Sequence, residues 1–462
     1  MMELYIPIIG LAVAMFVLVF LVLRTRVHAL IAMLIAASIA GLSGGLSAVQ
    51  TIDAITKGFG STLGSIGIVI GLGVMMGRVL EVSGAAEQIA YSFIKWLGKK
   101  REEWALAITG YIVSIPIFVD SAFVILYPLV KALAKKGQRN LLTLGVALAG
   151  GLIITHHAVP PTPGPLGVAG IFGVDIGAMM LSGLILAIPC VIGIVLYARW
   201  LGSKYPEFAL QPDDEPPLDL HAAHQNYLAE KAAKPLPGLL LSLLPIVTPI
   251  VLIFINALNN MLAKTAGLSG LNSSLWGQSF AFLGSPVIAL AISVLLAVAT
   301  LMPKVDKQQT LERLEEGLQS AGIILLVTGA GGALGAVLRE SGTGNLLAQH
   351  VASLPLSPIL IPFVIATLVR LIQGSGTVAM ITAASISAPI VSQLPGINML
   401  AAAQAATLGA LFFSYFNDSM FWVVNRMMGI KEVKQQIMVW SVPTTIAWAI
   451  SLVGVLVLDW VM

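Results

Sequence analysis

A chain of 462 residues that is 57% hydrophobic and only 10% charged is not a soluble domain, where about a quarter of residues carry charge. The net charge of +3 gives no sign of a nucleic-acid partner, and the single cysteine, Cys190, excludes a disulfide framework or a CxxC metal site. The apolar residues fall in blocks of about 18 to 25, the length that crosses a ~30 Å hydrocarbon core as helix. The class is an all-α polytopic membrane protein.

The first block, 6–23, is closed by Arg24 and Arg26 and has neither a basic leader nor a small-residue cleavage site, so it reads as a retained span. Further blocks lie at 29–46, 63–80, 141–159, 179–200, 239–255, 286–302, 318–338, 399–424 and 439–461, giving about ten crossings. Two more blocks, 104–130 and 358–391, are too long for one span and too short for two with a loop. Polar or Gly/Pro residues interrupt their middles, and they read as re-entrant hairpins. The stretch 85–100 sets Ile89, Phe93, Ile94 and Trp96 against Glu87, Gln88 and Lys95, the pattern of a helix lying in the membrane surface.

Threaded from outside, the basic clusters all fall on one face. Of the 25 Lys and Arg, only Lys57, Arg78, Lys264, Arg339 and Arg370 lie elsewhere. The positive-inside rule then predicts both termini outside and the linker at 202–237, with Pro212, Pro216 and Pro217 among acidic residues, in the cytoplasm.

The halves repeat. Shifting Leu63 to Gly84 by 258 residues superposes Gly64, Gly71, Gly73, Gly77, Val79, Leu80, Ser83 and Gly84 on Gly322, Gly329, Gly331, Gly335, Val337, Leu338, Ser341 and Gly342. The two copies run in opposite directions through the membrane, which is the inverted-repeat construction of secondary transporters. The expected organisation is N-terminal scaffold helices (1–50), a first repeat (58–201) with hairpin 104–130 and broken span 141–170, and the linker (202–237). Scaffold helices (238–303) and a second repeat (317–462), with hairpin 358–391 and broken span 399–424, complete it.

Polar atoms at membrane depth cost several kcal/mol unless satisfied, so each is a functional candidate. Thr155, His156 and His157 run directly into Pro160, Pro161, Pro163, Gly164 and Pro165. Prolines at that density interrupt a helix, and the expectation is an unwound backbone whose carbonyls and N–H groups face a ligand. The corresponding stretch of the second half holds Asn417 and Asp418 among Phe, Leu and Trp. Asp418 is a candidate proton site, or else a helix cap or a partner for Arg370. The hairpin middles offer Gly374, Ser375, Gly376 and Thr377, an anion cradle of hydroxyls and backbone N–H groups, and Asp120 with Ser121. Arg370 requires a carboxylate: Asp120, Asp418 or a substrate's. Asp120 and His156 are further candidates for the proton. No metal site and no cofactor are indicated. An intramembrane hydrolase built on Ser375 finds no support, because HExxH is missing and Ser375 does not sit in a GxSxG.

The runs THHAVPPTPGP (155–165), RLIQGSGTVA (370–379) and SYFNDSMFW (414–422) resemble the signature segments of the gluconate–proton symporter (gluconate permease, GntP) family of the ion transporter superfamily, over nearly the whole chain. The resemblance implies inner-membrane, proton-coupled uptake of gluconate or a related sugar or hydroxy acid, with D-serine or 3-hydroxybutyrate as alternatives; sodium coupling is a separate alternative, since unwound carbonyls flanking Ser375 and Asn417 could equally ligate Na⁺. It also implies a homodimer with an elevator-type division into scaffold and transport domains, with a small organic anion, a proton and membrane lipid as partners. The sequence departs from the family pattern at Thr162 and Tyr415, where a histidine often stands, and at Val119-Asp120-Ser121.

Overall fold

The computed structural model describes residues 2–25, 27–97, 101–137, 139–208, 236–265, 274–303, 305–344, 346, 357–415 and 418–461. Most of the expected linker and the candidate Asn417 lie outside the described residues. The described elements are helical: α1 (Met2–Arg24), α2 (Ala29–Ser43), α3 (Ala48–Val82), α4 (Ala85–Leu97), α5 (Glu102–Val113), α6 (Val119–Gly137), α7 (Leu141–Ala158), α8 (Pro163–Phe172) and α9 (Ile176–Lys204) in the first half. In the second come α10 (Leu239–Thr265), α11 (Leu275–Leu283), α12 (Pro286–Leu301), α13 (Lys307–Glu340), α14 (Leu360–Gln373), α15 (Gly376–Val391), α16 (Met399–Gly409), α17 (Ser419–Met427) and α18 (Val433–Val461), the last with a π turn at Ile437–Ser441.

Among the described residues, five helices are individually long and apolar enough to cross a membrane, or seven if two bent pairs count as single spans. One bent pair is α3, which turns by 44° between Ala48–Gly64 and Gly67–Val82. The sequence placed only 63–80 in this span. The helix starts earlier because Ser47 and Gln50 form a capping box that fixes its first turn.

The internal repeat has a structural counterpart in its caps. α3 and α13 end alike, with Ser83 and Ser341 donating their N–H to Val79 and Val337, and with Gly84 (φ +77°) and Gly342 (φ +71°) in the left-handed region that glycine adopts without strain. Asn140 and Asn398, again 258 residues apart, each cap a helix by accepting two N–H groups, worth about 1 kcal/mol apiece. α3 and α13 lie against each other on glycine: a Cβ at Gly58 would strike Ala336 and the Gly332 carbonyl, and one at Gly332 would strike Thr62. Small residues at such contacts let backbones approach where no hydrophobic effect drives helices together.

Both predicted hairpins are helix–break–helix units, α5–α6 broken at 114–118 and α14–α15 broken at Gly374 and Ser375. α7 is the buried rod against which α5 and α6 pack. Nearly all its residues are buried, and Gly110 of α5 and Gly151 of α7 each have the other helix's backbone where a side chain would be. Ion pairs Arg139–Glu102 (3.3 Å) and Arg199–Glu103 (2.6 Å) tie together the start of α5, the start of α7 and the end of α9. Basic clusters far apart in sequence thus share one end of the bundle.

Two expectations need correction. The stretch read as a membrane-surface helix is α4, but its apolar face packs on α5 and α10, burying Ala85, Ala86, Ile89, Ala90 and Ile94; only Trp96 stands well out. The proline stretch is unwound only over 159–162. Pro163 occupies the first turn of α8, where a missing N–H costs nothing, so Pro163, Gly164 and Pro165 are helical. The released carbonyls are already used: Thr162 donates to His156 O (3.0 Å) and Val159 O, and Gln404 donates to Ala158 O (3.3 Å).

Candidate functional site

Four chain breaks converge on one cavity of about 300 Å³. The α5–α6 break supplies Phe118 and Asp120, the end of α7 supplies Ile153, His156 and His157, and the α14–α15 break supplies Arg370, Ser375, Gly376 and Thr377. The start of α17 supplies Asp418, Ser419 and Met420. Residues as far apart in sequence as Phe118 and Met420 therefore meet, because the four breaks come together in space.

Each stop has a local cause. α14 ends where Gly374 takes φ +79° and returns its N–H to Arg370 O (3.0 Å). α15 then begins at once, with Ser375 as its N-cap accepting from Val378. Gly376 and Thr377 line the cavity at the start of α15, where N–H groups have no acceptor within the helix and the helix dipole is positive. Gly376 is required by closeness: a Cβ there would overlap His157 Nε2. α17 begins with Asp418, whose Oδ1 accepts the Met420 N–H (3.3 Å).

Of the charged groups lining the cavity, Arg370 and Asp418 are paired. Arg370, 2% exposed, donates from Nη2 to Asp418 Oδ2 (2.7 Å) and from Nη1 to the Gly374 carbonyl. Asp418 also accepts from Ser414 Oγ, which accepts from Trp440 Nε1 (2.7 Å). This chain clamps the α14–α15 break to the start of α17 and to the π turn of α18. A π turn next to a polar network is a recurrent mark of functional helices. Arg370 Nε has no partner among the described residues.

Asp120 is exposed to the cavity and has no cation as partner among the described residues; the Ser419 side chain hydrogen-bonds it. The histidines are buried. His157 Nδ1 lies 3.0 Å from Ile153 O, which makes it the protonated nitrogen and leaves Nε2 without a partner, as is His156 Nδ1. The ring of Phe118 lies 6.2 Å from that of His156.

Of the residues singled out from sequence, Asp120, His156, Arg370, Ser375, Gly376, Thr377 and Asp418 line the cavity, and Gly374 shapes it. Others do not. Ser121 lines a different cavity, with Arg78 and Glu316. Thr155 is fully buried and does not line the cavity. Pro160 and Pro161 line a small apolar space against α10 and α12. Thr162 and Tyr415, two of the departures from the family pattern, are satisfied by backbone, Tyr415 through Leu371 O (2.5 Å), and neither lines the cavity. Sequence reasoning missed Phe118, Ser419, Ser414 and Trp440. Ser414 lay inside a motif that was recognised; Trp440 sits in an apolar block and carries no signal of its own.

A family profile described as GntP family permease matches residues 6–461. The chain belongs to the GntP permease family. A permease of Haemophilus influenzae with no assigned function is 69% identical over 99% of this chain and 93% of its own length. The gluconate permease of Pseudomonas aeruginosa is 32% identical over 96% of each. Among solved structures, Neisseria gonorrhoeae MtrF, from a class of antimetabolite efflux pumps, matches with a TM-score of 0.62 at 16% identity, covering 94% of this chain and 96% of that one. That likeness concerns the fold alone. This GntP permease is thus a multi-pass transporter of the bacterial inner membrane and not an enzyme.

Proposed function

We propose that this permease imports a small hydroxylated carboxylate of the gluconate type together with a proton. The charge balance of the cavity carries the reading. Its lining holds one cation, Arg370, and two carboxylates, Asp418 and Asp120. Arg370 is already neutralised by Asp418, so an ionised Asp120 leaves a net charge of about −1 facing the cavity. A substrate carboxylate adds a second negative charge there. It binds favourably only if Asp120 takes up a proton, and that requirement is coupling.

In this reading the substrate carboxylate rests on the N–H groups of Gly376 and Thr377 and the hydroxyl of Ser375, at the start of α15. Arg370 organises that cradle through Gly374 O and lends partial charge through its free Nε. His156 and His157 line the cavity beside that cradle, with His156 Nδ1 and His157 Nε2 without partners among the described residues. The proposed topology has about ten crossings and two re-entrant hairpins, arranged as inverted repeats of elevator type, with both termini outside.

An amino acid zwitterion such as D-serine is a second reading, favoured by the same uncompensated Asp120, because an ammonium group placed there replaces the proton. Proteoliposomes with an inward proton gradient, offered labelled gluconate, glycerate, 3-hydroxybutyrate, lactate and D-serine, separate the two. Accumulation of a hydroxy acid that collapses with a protonophore supports the first reading, and accumulation of D-serine alone supports the second. A sodium gradient by itself is expected to drive neither; sodium-driven uptake contradicts both.

A further inference from the structure

The α3–α13 pair carries a cavity near each end, and the two are equivalent under the 258-residue repeat. One, of about 530 Å³, is lined by Val74, Gly77 and Glu81 of α3 and by Gln319 of α13. The other, of about 240 Å³, is lined by the equivalent Gly332, Gly335 and Arg339 of α13 and by Ser61 of α3, joined by Thr62 and by Gly170 and Ile171 of α8. With the basic clusters inside, the first opens toward the cytoplasm and the second toward the outside.

Their electrostatics are opposite. In the inner cavity Arg78 is clamped by Glu316 (2.6 Å) and Glu81 (3.0 Å), and Glu316 is also held by Arg313 (2.8 Å). That arginine has no charge left for a ligand. In the outer cavity Arg339 stands where the repeat has Glu81, and no carboxylate lines the space. The neighbouring Glu340 is turned to Lys57 Nζ at 3.6 Å. Arg339 forms no ion pair among the described residues, although the charge of Glu340 acts on it.

The inner cavity shares Phe118 with the candidate site, whereas the outer cavity shares no lining residue with it. Between them α8 packs on α15, with Gly164 against Met380 and Gly167 against Ile381. The outer cavity is thus a separate, cationic space on the side from which substrate arrives.

We propose that the cavity lined by Ser61, Thr62, Gly332, Gly335 and Arg339 is an outer capture site for the substrate's carboxylate, with Arg339 as the cation that holds it and Ser61 and Thr62 as neutral polar neighbours. The proposal rests on the anion-import reading. It adds that the two cavities differ: the outer one presents Arg339 with no carboxylate in its lining, whereas in the inner one Arg78 is paired with Glu316 and Glu81.

The test is initial-rate uptake in proteoliposomes from the outer face, and in the reverse orientation from the inner face, for wild type, Arg339→Gln and Arg339→Lys. Arg339→Gln is expected to raise the outer-face KM roughly tenfold with maximal rate and inner-face KM unchanged, and Arg339→Lys to stay near wild type. The gap should narrow at high ionic strength, as for any partly exposed charge. An unchanged outer-face KM in Arg339→Gln, an equal change on both faces, or a loss confined to maximal rate overturns the capture site while leaving anion import intact. Wild-type protein that moves none of the anions overturns the import reading itself, and the capture site with it.

Discussion

The two broken spans occupy equivalent places in the two halves and have been put to different uses. In the first half the break is four residues long, 159–162, and is closed by neutral side chains: Thr162 and Gln404 take up the carbonyls that the prolines release, and the helix resumes at Pro163. In the second half the break runs from the end of α16 to the start of α17 and is held by side chains, through Trp440, Ser414, Asp418 and Arg370. A break closed by neutral side chains on backbone carbonyls can only redirect a helix. One closed by ionisable side chains can also respond to a charge.

Substitutions in the second break should therefore be costly and those in the first mild. The largest effect is expected for Asp418→Ala, which strands the buried Arg370; an unpaired buried charge costs about 3–5 kcal/mol. Thermal unfolding in detergent should show a large loss of stability, and uptake should vanish. The double variant Arg370→Met/Asp418→Leu should recover stability but not transport, and recovery of transport would remove Arg370 from the site. Next comes Gly376→Ala, whose methyl group meets a histidine ring anchored to Ile153 O. Overpacking of this kind costs about 1–3 kcal/mol, and here it should appear mainly as a raised KM. Ser414→Ala removes one donor to Asp418 and leaves Trp440 Nε1 unpaired, a loss of about 1–2 kcal/mol measurable by the same unfolding assay. Smallest is Thr162→Val in the first break, expected to cost about 1 kcal/mol with uptake near wild type. If Thr162→Val damaged transport as badly as Asp418→Ala, the contrast between the breaks would be wrong.

Much of this architecture was legible in the sequence because the membrane makes its costs visible. Glycine spacing exposed the repeat, and Gly374-Ser375-Gly376 marked a turn that no helix could cross. Arg370 in an apolar block demanded a carboxylate, and the choice of Asp418 over Asp120 needed three-dimensional contact. Proline density misled: the sequence shows where N–H groups are missing but not that Thr162 and Gln404 have taken the orphaned carbonyls. Ser121 was misplaced because adjacent residues on a helix point about 100° apart, so Asp120 and Ser121 face different cavities. Arg339 drew no attention as a site because its equivalence to Glu81 acquires meaning only when both are seen lining cavities.

The central claim is that Asp120 carries the proton that lets a carboxylate into a cavity already negative. Its most direct test compares wild type with Asp120→Asn in proteoliposomes under an inward proton gradient, following both accumulation and counterflow of the labelled substrate. Wild type should concentrate the substrate, and Asp120→Asn should still exchange it while no longer accumulating it. Gradient-driven accumulation by Asp120→Asn at the wild-type level would contradict the account.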